Sequence, residues 1–527
     1  MKTRDPQWFD LFQARGTRRD FLRVGGAAAG LVALGALPGC GAARGPRLSD
    51  DPFTLGVASG DPASDGLVLW TRLARSVLDG AGTADRAVPV TWEVAHDDAF
   101  TRIAGRGETL AIPELGHSVH AEVAGLEPGR GYVYRFRAGG ITSPVGRGRT
   151  APAPGVLADR VRFAFASCQN YEHGYYTALG HLAEEDLDFV VHLGDYIYEK
   201  RFGGPEVRAH EGGEVITLDE YRGRYTTYRT DPLLQAAHAA APWVCTTDDH
   251  EVDNNWAGPH AEDDQSPETL LLRRAAAYQA FYEFMPLRRS SMPTGPDAQL
   301  YRRLSFGSLV EMFALDTRQY RSDQPCGDRT QPTCAAHVAP DQSILGAAQR
   351  EWLLSGMTSS QARWNVMAQQ VMVARLRGRQ DDGTETWAMD MWDGYPRERT
   401  VVLNALADGG VANPVVLTGD IHSSWVANLH RDFDAPDQPP VATEFAGTSI
   451  TSGGDGVDVS QGALGVLERN PHLHFYDGRR GYVVATVEPE RWTTDYRIVP
   501  YVEREGAPVE TRATFVVENG RPGAERV

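Results

Sequence analysis

Apolar and polar positions alternate over short stretches from Phe53 to about Thr150. Gly66-Leu-Val-Leu-Trp70-Thr-Arg72, Val88-Pro-Val-Thr-Trp-Glu-Val94, His117-Ser-Val-His-Ala-Glu-Val123 and Tyr132-Val-Tyr-Arg-Phe-Arg137 each fit a half-buried strand. Turn-forming segments such as Glu127-Pro-Gly-Arg-Gly131 separate them. Regular short strands of this kind predict a β-sandwich domain of its own over 53–150. Ala151-Pro-Ala-Pro-Gly155 predicts a linker within 151–160. From Arg160 the pattern changes. Helical stretches at Leu218–Tyr228, Thr269–Phe284, Leu345–Leu354 and Glu398–Ala407 interleave with strand-like runs at Trp243–Thr247, Ser308–Asp316, Trp364–Gln370, Pro414–Thr418 and Gly481–Val487. This predicts an α/β domain over 161–520. Asn255–Ser266 and Arg321–Pro340 read as irregular loops, and the polar end, Asn519–Val527, as frayed.

Four of the apolar runs stop at side chains able to bind metal. Phe163-Ala-Phe-Ala-Ser-Cys168 ends at a thiol, and Phe189-Val-Val-His-Leu-Gly-Asp195-Tyr-Ile-Tyr198 at a carboxylate and a phenol. A helical segment near 173–186 separates these two, so a right-handed crossover sets them side by side and parallel. Trp243-Val-Cys-Thr-Thr-Asp248-Asp249-His250-Glu251-Val-Asp253-Asn254-Asn255 and Pro414-Val-Val-Leu-Thr-Gly419-Asp420-Ile-His422 end in the same way. One acidic turn after a strand is ordinary capping. Four in one α/β region predict a shared metal site at the C-terminal ends of the strands. His192 alternates away from that site and reads as a satisfied core histidine; Tyr196 and Tyr198 each read equally well as core aromatics.

A chain of 527 residues can bury a large core. Its net charge of −18 excludes the basic face that nucleic-acid binding needs. Residues 1–40 read as an export signal. Thr17-Arg18-Arg19-Asp20-Phe21-Leu22-Arg23 precedes a short Ala- and Gly-rich apolar run, the form of a twin-arginine signal and too short for a stable membrane span. The twin-arginine machinery is then a partner, and the destination is periplasmic or extracellular. Leu37-Pro-Gly-Cys40 resembles a lipobox, in which Cys40 would carry a lipid anchor; simple cleavage nearby is the alternative. Residues 41–52 are a tether. Cys326 and Cys334 flank a loop and could pair in an oxidising compartment. Cys245 reads as a buried core thiol, which leaves Cys168 to explain.

The strand-end clusters resemble the calcineurin-like metallophosphoesterase superfamily. Gly194-Asp195, Asp248-Asp249-His250-Glu251 and Gly419-Asp420-Ile421-His422 supply its later elements, with Asp249 in place of the usual Asn and Asp420 in place of the first His, and Ser167-Cys168-Gln169 departs most, from its Asp-x-His start. That departure, with Gly56-Val-Ala-Ser-Gly-Asp-Pro62, Trp70-Thr-Arg72, His210-Glu-Gly-Gly-Glu214 and Tyr228-Arg229, resembles the alkaline phosphatase D (PhoD-like) family. The resemblance implies a fibronectin-type-III-like β-sandwich followed by a metallophosphoesterase-type α/β sandwich, with two central mixed sheets flanked by helices. It implies a ferric ion beside calcium. Thiolate and phenolate suit a highly charged transition metal, and carboxylate and amide oxygens suit calcium. Cys168, Asp195, Tyr198 and His422 are then assigned to iron. Asp195, Asp249, Asn254 and Asp420 are assigned to calcium, with Asp195 bridging and Asp248 and Asn255 as alternatives.

The implied activity is hydrolysis of phosphate mono- and diesters at alkaline pH by a metal-activated hydroxide or oxide, for phosphate scavenging. Asp195, His250 and Arg229 are the catalytic candidates; His250 would stabilise phosphoryl oxygens and Arg229 clamp the phosphate. The alternatives are a phosphodiesterase specialised for teichoic-acid or phospholipid substrates, a non-catalytic ligand-binding lipoprotein, and a metal-dependent oxidase.

Overall fold

A computed structural model describes residues 47–263, 265–435 and 437–527. The expected export signal, Cys40 and half of the tether lie outside the described residues. Two sheets form the centre. The larger has ten strands, in the order Arg521–Arg526, Glu510–Glu518, Arg491–Val499, Arg480–Val487, Val161–Ala166, Phe189–His192, Pro242–Cys245, Val57–Ala63, Gly66–Arg72 and Ser118–Ala124. The second has seven, in the order Arg302–Phe306, Val310–Ala314, Trp364–Ala368, Pro414–Thr418, Ala442–Ala446, Ser424–Leu429 and Leu473–Asp477. Each is mixed, parallel at its middle and antiparallel towards its edges.

Residue alternation along each strand decides what each face meets. Phe163, Phe165, Val191 and Val244 point from the first sheet onto Met312, Val366, Val415 and Phe445 of the second, forming a dry inter-sheet core. Ala164, Val190 and Trp243 face the other way, onto Tyr221 and Tyr225 of the helix Leu218–Arg229 and Phe281 and Phe284 of the helix Pro267–Phe284. On the far side, Met367 and Val416 of the second sheet pack on Leu353 and Leu403, from the helices Gly346–Ser359 and Pro396–Asp408. The result is a helix–sheet–sheet–helix sandwich.

Residues 53–150 supply two facing sheets, but one of them is continuous with the central sheet of the α/β half. A five-stranded sheet does form there, from Val88–Ala95, Ile103–Ala111, Gly131–Ala138, Ile141–Thr142 and Gly146–Arg149. Its partner face, however, is the end of the ten-stranded sheet. Leu67, Leu69, Val119 and Val123 supply that face against Val88, Val90, Tyr134 and Phe136. Val57–Ala63 pairs in parallel with Pro242–Cys245, Ser59 opposite Pro242 and Gly60 opposite Trp243. Only glycine fits at position 60, because a Cβ there would lie 2.3 Å from the Pro286 carbonyl. Val57-Ala-Ser-Gly-Asp-Pro-Ala63 lacks alternation because both its faces are buried, so periodicity does not mark it as a strand.

The 151–160 segment is tied down at its ends. Ala151 N–H donates to Ala63 O, and Ser308 N–H donates to Val156 O. The C-terminus is not frayed: Arg521–Arg526 forms a hairpin with Glu510–Glu518 and edges the large sheet. Cys326 and Cys334 are disulfide-bonded, and Cys168 and Cys245 are buried and free. No helix among the described residues is long and apolar enough to cross a membrane.

Candidate metal centre

The parallel strands Val161–Ala166, Phe189–His192 and Pro242–Cys245 deliver Cys168, Asp195, Asp248 and Asp249 past their C-terminal ends. Pro414–Thr418, from the other sheet, delivers Asp420 and His422 to the same place. Cys168, Asp195, Asp420 and His422 have φ of +59°, +57°, +59° and +54°. Non-glycine residues avoid this region, and such strain clusters at functional sites. Here it turns each chain sharply off its strand, so the side chain faces inward. Gly194 and Gly419 let these turns meet. A Cβ on Gly194 would lie 2.4 Å from Asp248 Cβ, and one on Gly419 would lie 2.7 Å from Ser167 Oγ.

The ligand atoms fall into three overlapping groups, each with all its atoms within 4.8 Å of one another: Cys168, Asp195 and His422; Asp195, Asp249 and His250; and Asp248, Asp249 and Asp420. Asp195 belongs to the first two and Asp249 to the last two. Tyr198 joins the first: its hydroxyl donates to Asp195 Oδ2 at 2.9 Å and sits 3.3 Å from His422 Nε2. Asp195 Oδ1, Asp248 Oδ2 and Asp249 Oδ1 are buried without a hydrogen-bond partner among the described residues, and Arg318 Nη2 lies 3.7 Å from Asp249 Oδ1.

Burial is the first cause that raises the pKa of Asp195, Asp420, Cys168 and Tyr198, and neighbouring acids add to it. Burial also lifts Asp248 to about 6 against the pull of Arg318. It lowers His422 to about 3, so that imidazole is neutral, the form that binds metal. At His250, burial opposes the charge, but Asp249, Asp195 and Glu199 outweigh it and hold the pKa well above the ordinary value. Six acidic donors therefore share one buried volume with Arg318, Arg480 and His250 as the nearby cations. Unpaired buried charge is costly, and bound cations relieve it. The donor set and its orphaned oxygens fit metal.

Of the expected ligands, Cys168, Asp195, Tyr198, Asp249, Asp420 and His422 come together, and Asp248 takes an inward place. Asn254 does not join them. Its Nδ2 donates to Glu262 at 2.5 Å and its backbone N–H to Glu199 at 3.2 Å. Asn255 contributes its backbone N–H to Asp249 Oδ2 at 2.7 Å. His250 lies at the centre, with Nδ1 2.8 Å from Glu199 Oε2 and Nε2 4.0 Å from Asp195 Oδ2.

The expected phosphate clamp, Arg229, is corrected. It is fully buried, with its guanidinium 4.4 Å over the Trp70 ring and bonds to Leu55 O and Tyr196 Oη at 3.2 and 3.4 Å. It joins the N-terminal strands to the α/β half and cannot meet a substrate. His192 is in the core but not satisfied, since neither ring nitrogen has a partner among the described residues.

Sequence reasoning missed Glu199, Arg318, Asp390, Ser452 and Arg480, and gave Glu251 of the third cluster no role. Arg318 had a signal: the strand Val310–Ala314 runs into Leu-Asp-Thr-Arg318, a fifth strand end of the same form. Ser452 and Arg480 had none, because only the fold brings them to the centre.

A two-sheet sandwich with acids, imidazoles and a thiol gathered at strand ends has the candidate ligand clusters that metal-assisted hydrolysis needs. A family model described as PhoD-like phosphatase matches residues 163–496, and one described as its N-terminal domain matches 39–152. The chain belongs to the PhoD-like phosphatase family and is a phosphohydrolase. It is 49% identical over 524 residues to alkaline phosphatase D of Bacillus subtilis (strain 168), covering 97% of this chain and 89% of that protein. A solved structure, "Structure of PhoD", matches with a TM-score of 0.89 at 50% identity, over 92% of this chain and 93% of that one.

Proposed function

We propose that the chain is an exported alkaline phosphatase and phosphodiesterase that works with ferric iron and calcium. The observation that carries this reading is the pair of shared carboxylates: Asp195 and Asp249 each stand in two of three overlapping ligand groups, and both keep a buried oxygen with no hydrogen-bond partner among the described residues. Cys168, Tyr198 and His422, with Asp195, suit iron; Asp248, Asp249 and Asp420 suit calcium. Asn254 joins the calcium side only by releasing Glu262. When bound, the metals supply Lewis acidity and a strong nucleophile at the phosphorus.

The chain's own residues do the rest. Glu199 holds Nδ1 of His250 and leaves Nε2 free towards the site. A protonated His250 then donates Nε2–H to a phosphoryl oxygen or to the leaving alcohol. The hydrogen bond from the Tyr198 hydroxyl to Asp195 Oδ2 keeps the two side chains together, and its proton would leave when Tyr198 binds metal as phenolate. Asp248 is held through Oδ1 by Arg318, which leaves its Oδ2 free among the described residues. Export rests on the twin-arginine pattern of residues 1–40, with an anchor at Cys40 as its lipidated form.

The experiment is metal analysis of protein purified without chelator, with hydrolysis of aryl phosphate mono- and diesters. Iron and calcium in the protein, with activity lost to a calcium-selective chelator and restored by calcium, support the proposal. Restoration by zinc or magnesium with calcium inert overturns the metal assignment. Inactivity towards both esters with metals bound favours a non-catalytic binding protein.

A further inference from the structure

Two buried arginines stand at opposite ends of the centre, and neither bonds the atoms assigned to metal in the other's half. Arg318 is fully buried. Its Nε donates to Asp248 Oδ1 at 2.6 Å, and its Nη1 and Nη2 grip the two oxygens of Asp390, each at 2.8 Å. Asp390 is fixed in turn by Arg321 Nη1 and Gln324 Nε2, both at 2.7 Å. The fork cannot rotate without breaking several charge-assisted bonds. It occupies Asp248 Oδ1, so the oxygen left over, Oδ2, is the one without a partner.

Arg480 does the corresponding work on the other side through neutral acceptors. Its Nη1 donates to His422 O at 2.6 Å and to Ser449 Oγ at 3.0 Å, and its Nε donates to Gly454 O at 2.6 Å. A Cβ on Gly453 or on Gly456 would lie 2.9 Å from its Nη2, so the guanidinium is fitted against glycine backbone. The loop it holds carries Ser452, whose Oγ lies 2.7 Å from both Cys168 O and Tyr198 Oη. Arg480 thereby fixes the strained backbone of His422 and, through Ser452, two further members of the same half.

We infer that Arg318 and Arg480 are the positioning residues of two separable halves of the centre. Arg318 holds the carboxylate half, which Asp420 completes, through Asp248 and through Asp249, whose Oδ1 lies 3.7 Å from its Nη2. Arg480 holds the half made by Cys168, Tyr198 and His422. The identity of the metal in each half rests on the preceding reading; the division into halves rests on these contacts. Outer partners of this kind set metal affinity by about 10–100-fold. The two arginines also differ in what matters. Arg318 faces carboxylates, so a lysine keeps part of its effect; Arg480 faces carbonyls and hydroxyls, so only the fork shape serves.

The test measures iron and calcium per chain, visible absorption, and calcium affinity by titration of chelator-treated protein, with circular dichroism as the check on folding. Arg318→Met should weaken calcium binding about 10–100-fold and leave iron content and colour at the wild-type level. Arg480→Met should lose iron and colour and keep calcium affinity within about threefold, the converse selectivity expected of the other half. Arg318→Lys should fall between wild type and Arg318→Met, whereas Arg480→Lys should match Arg480→Met. Asp390→Asn and Ser449→Ala carry the same test in milder form if an arginine variant does not fold. A native-like variant that loses both metals in step, or neither, overturns the division. Wild-type protein carrying other cations would overturn the iron and calcium assignment instead, and the selectivity would then be read with those cations. Wild-type protein that binds no metal overturns both.

Discussion

Glu251 Oε1 accepts the backbone N–H of Tyr196 at 2.6 Å, so the turn after one parallel strand hangs from a side chain on the turn after the next. The other oxygen, Oε2, takes the N–H groups of Asp248 at 2.8 Å and Asp195 at 3.2 Å. One buried carboxylate thus sets the relative position of two ligand turns. A glutamine has one oxygen where three N–H groups need acceptors, and its NH2 would face a donor. Glu251→Gln should cost about 1–3 kcal/mol of stability, the penalty of an unsatisfied buried donor. It should also lower aryl phosphate hydrolysis at least about tenfold through misplaced ligands. Urea unfolding and initial rates, taken on the same preparation, check both. Unchanged activity at reduced stability would confine Glu251 to a structural role.

Arg229 gives the opposite expectation. It lies over Trp70 and bonds Leu55 O and Tyr196 Oη, away from any substrate position. Arg229→Ala should destabilise the protein by about 2–4 kcal/mol, through lost buried bonds and cation–π contact. KM for a phosphate monoester should stay within about twofold at a temperature where the variant is folded. A tenfold rise in KM with stability unchanged would restore the clamp.

These two residues show what the sequence made legible. Runs that end in unusual donors reveal the site's position and most of its members, because a strand of four to six apolar residues followed by an acid, thiol or imidazole is a local signal. Cys168, Asp195, Asp420 and His422 were found that way. Which member of the pairs Asp248/Asp249 and Asn254/Asn255 turns inward was not legible from residue type: Arg318, 70 residues away, claims one oxygen of Asp248, and Glu262 claims the Asn254 amide. Arg229 was misread because Tyr228-Arg229 resembles a motif piece, whereas the packing partner, Trp70, lies in the N-terminal strands. The large sheet's continuation through Val57–Ala63 was hidden for a related reason: a strand buried on both faces carries no alternation. Ser452 and Arg480 act through backbone carbonyls, which residue type does not reveal.

His192 gives a pH dependence with a definite sign. It is fully buried, 5.8 Å from the Trp243 ring and 5.2 Å from Tyr196, opposite Cys245 in the sheet, with His238 stacked on the other contact of Trp243 at 3.8 Å. Burial lowers its pKa from 6.5 to about 3. The unfolded chain therefore binds the proton first. The stability contributed by the neutral ring is complete above pH 6.5 and is lost as pH falls towards 3. At pH 5 the loss is about 2 kcal/mol, at 1.36 kcal/mol per unit. His192→Phe should shrink the fall in unfolding free energy between pH 8 and pH 5 by about that amount. Equal pH dependence in the two proteins would show that His192 is not the group that charges.

Asp195 and His422 differ in how many ligand groups they serve. Asp195 stands in two of the three groups, beside Cys168 and His422 on one side and Asp249 and His250 on the other. His422 stands in one. Removing a carboxylate shared between two cations deletes the anion that screens them from each other at short range. Removing a neutral imidazole takes one ligand from one ion, and water can replace it in part. Asp195→Asn should therefore deplete iron and calcium together and abolish turnover. His422→Ala should deplete iron more than calcium, weaken the thiolate or phenolate colour, and leave slight activity. Cys168→Ala should lose colour and activity with the fold intact. Metal content per chain, visible absorption and circular dichroism on each variant decide the comparison. If Asp195→Asn keeps both metals at wild-type stoichiometry, Asp195 is not the bridge, and the two halves of the centre hold their metals independently, because neither of the groups that Asp249 joins includes Cys168 or His422.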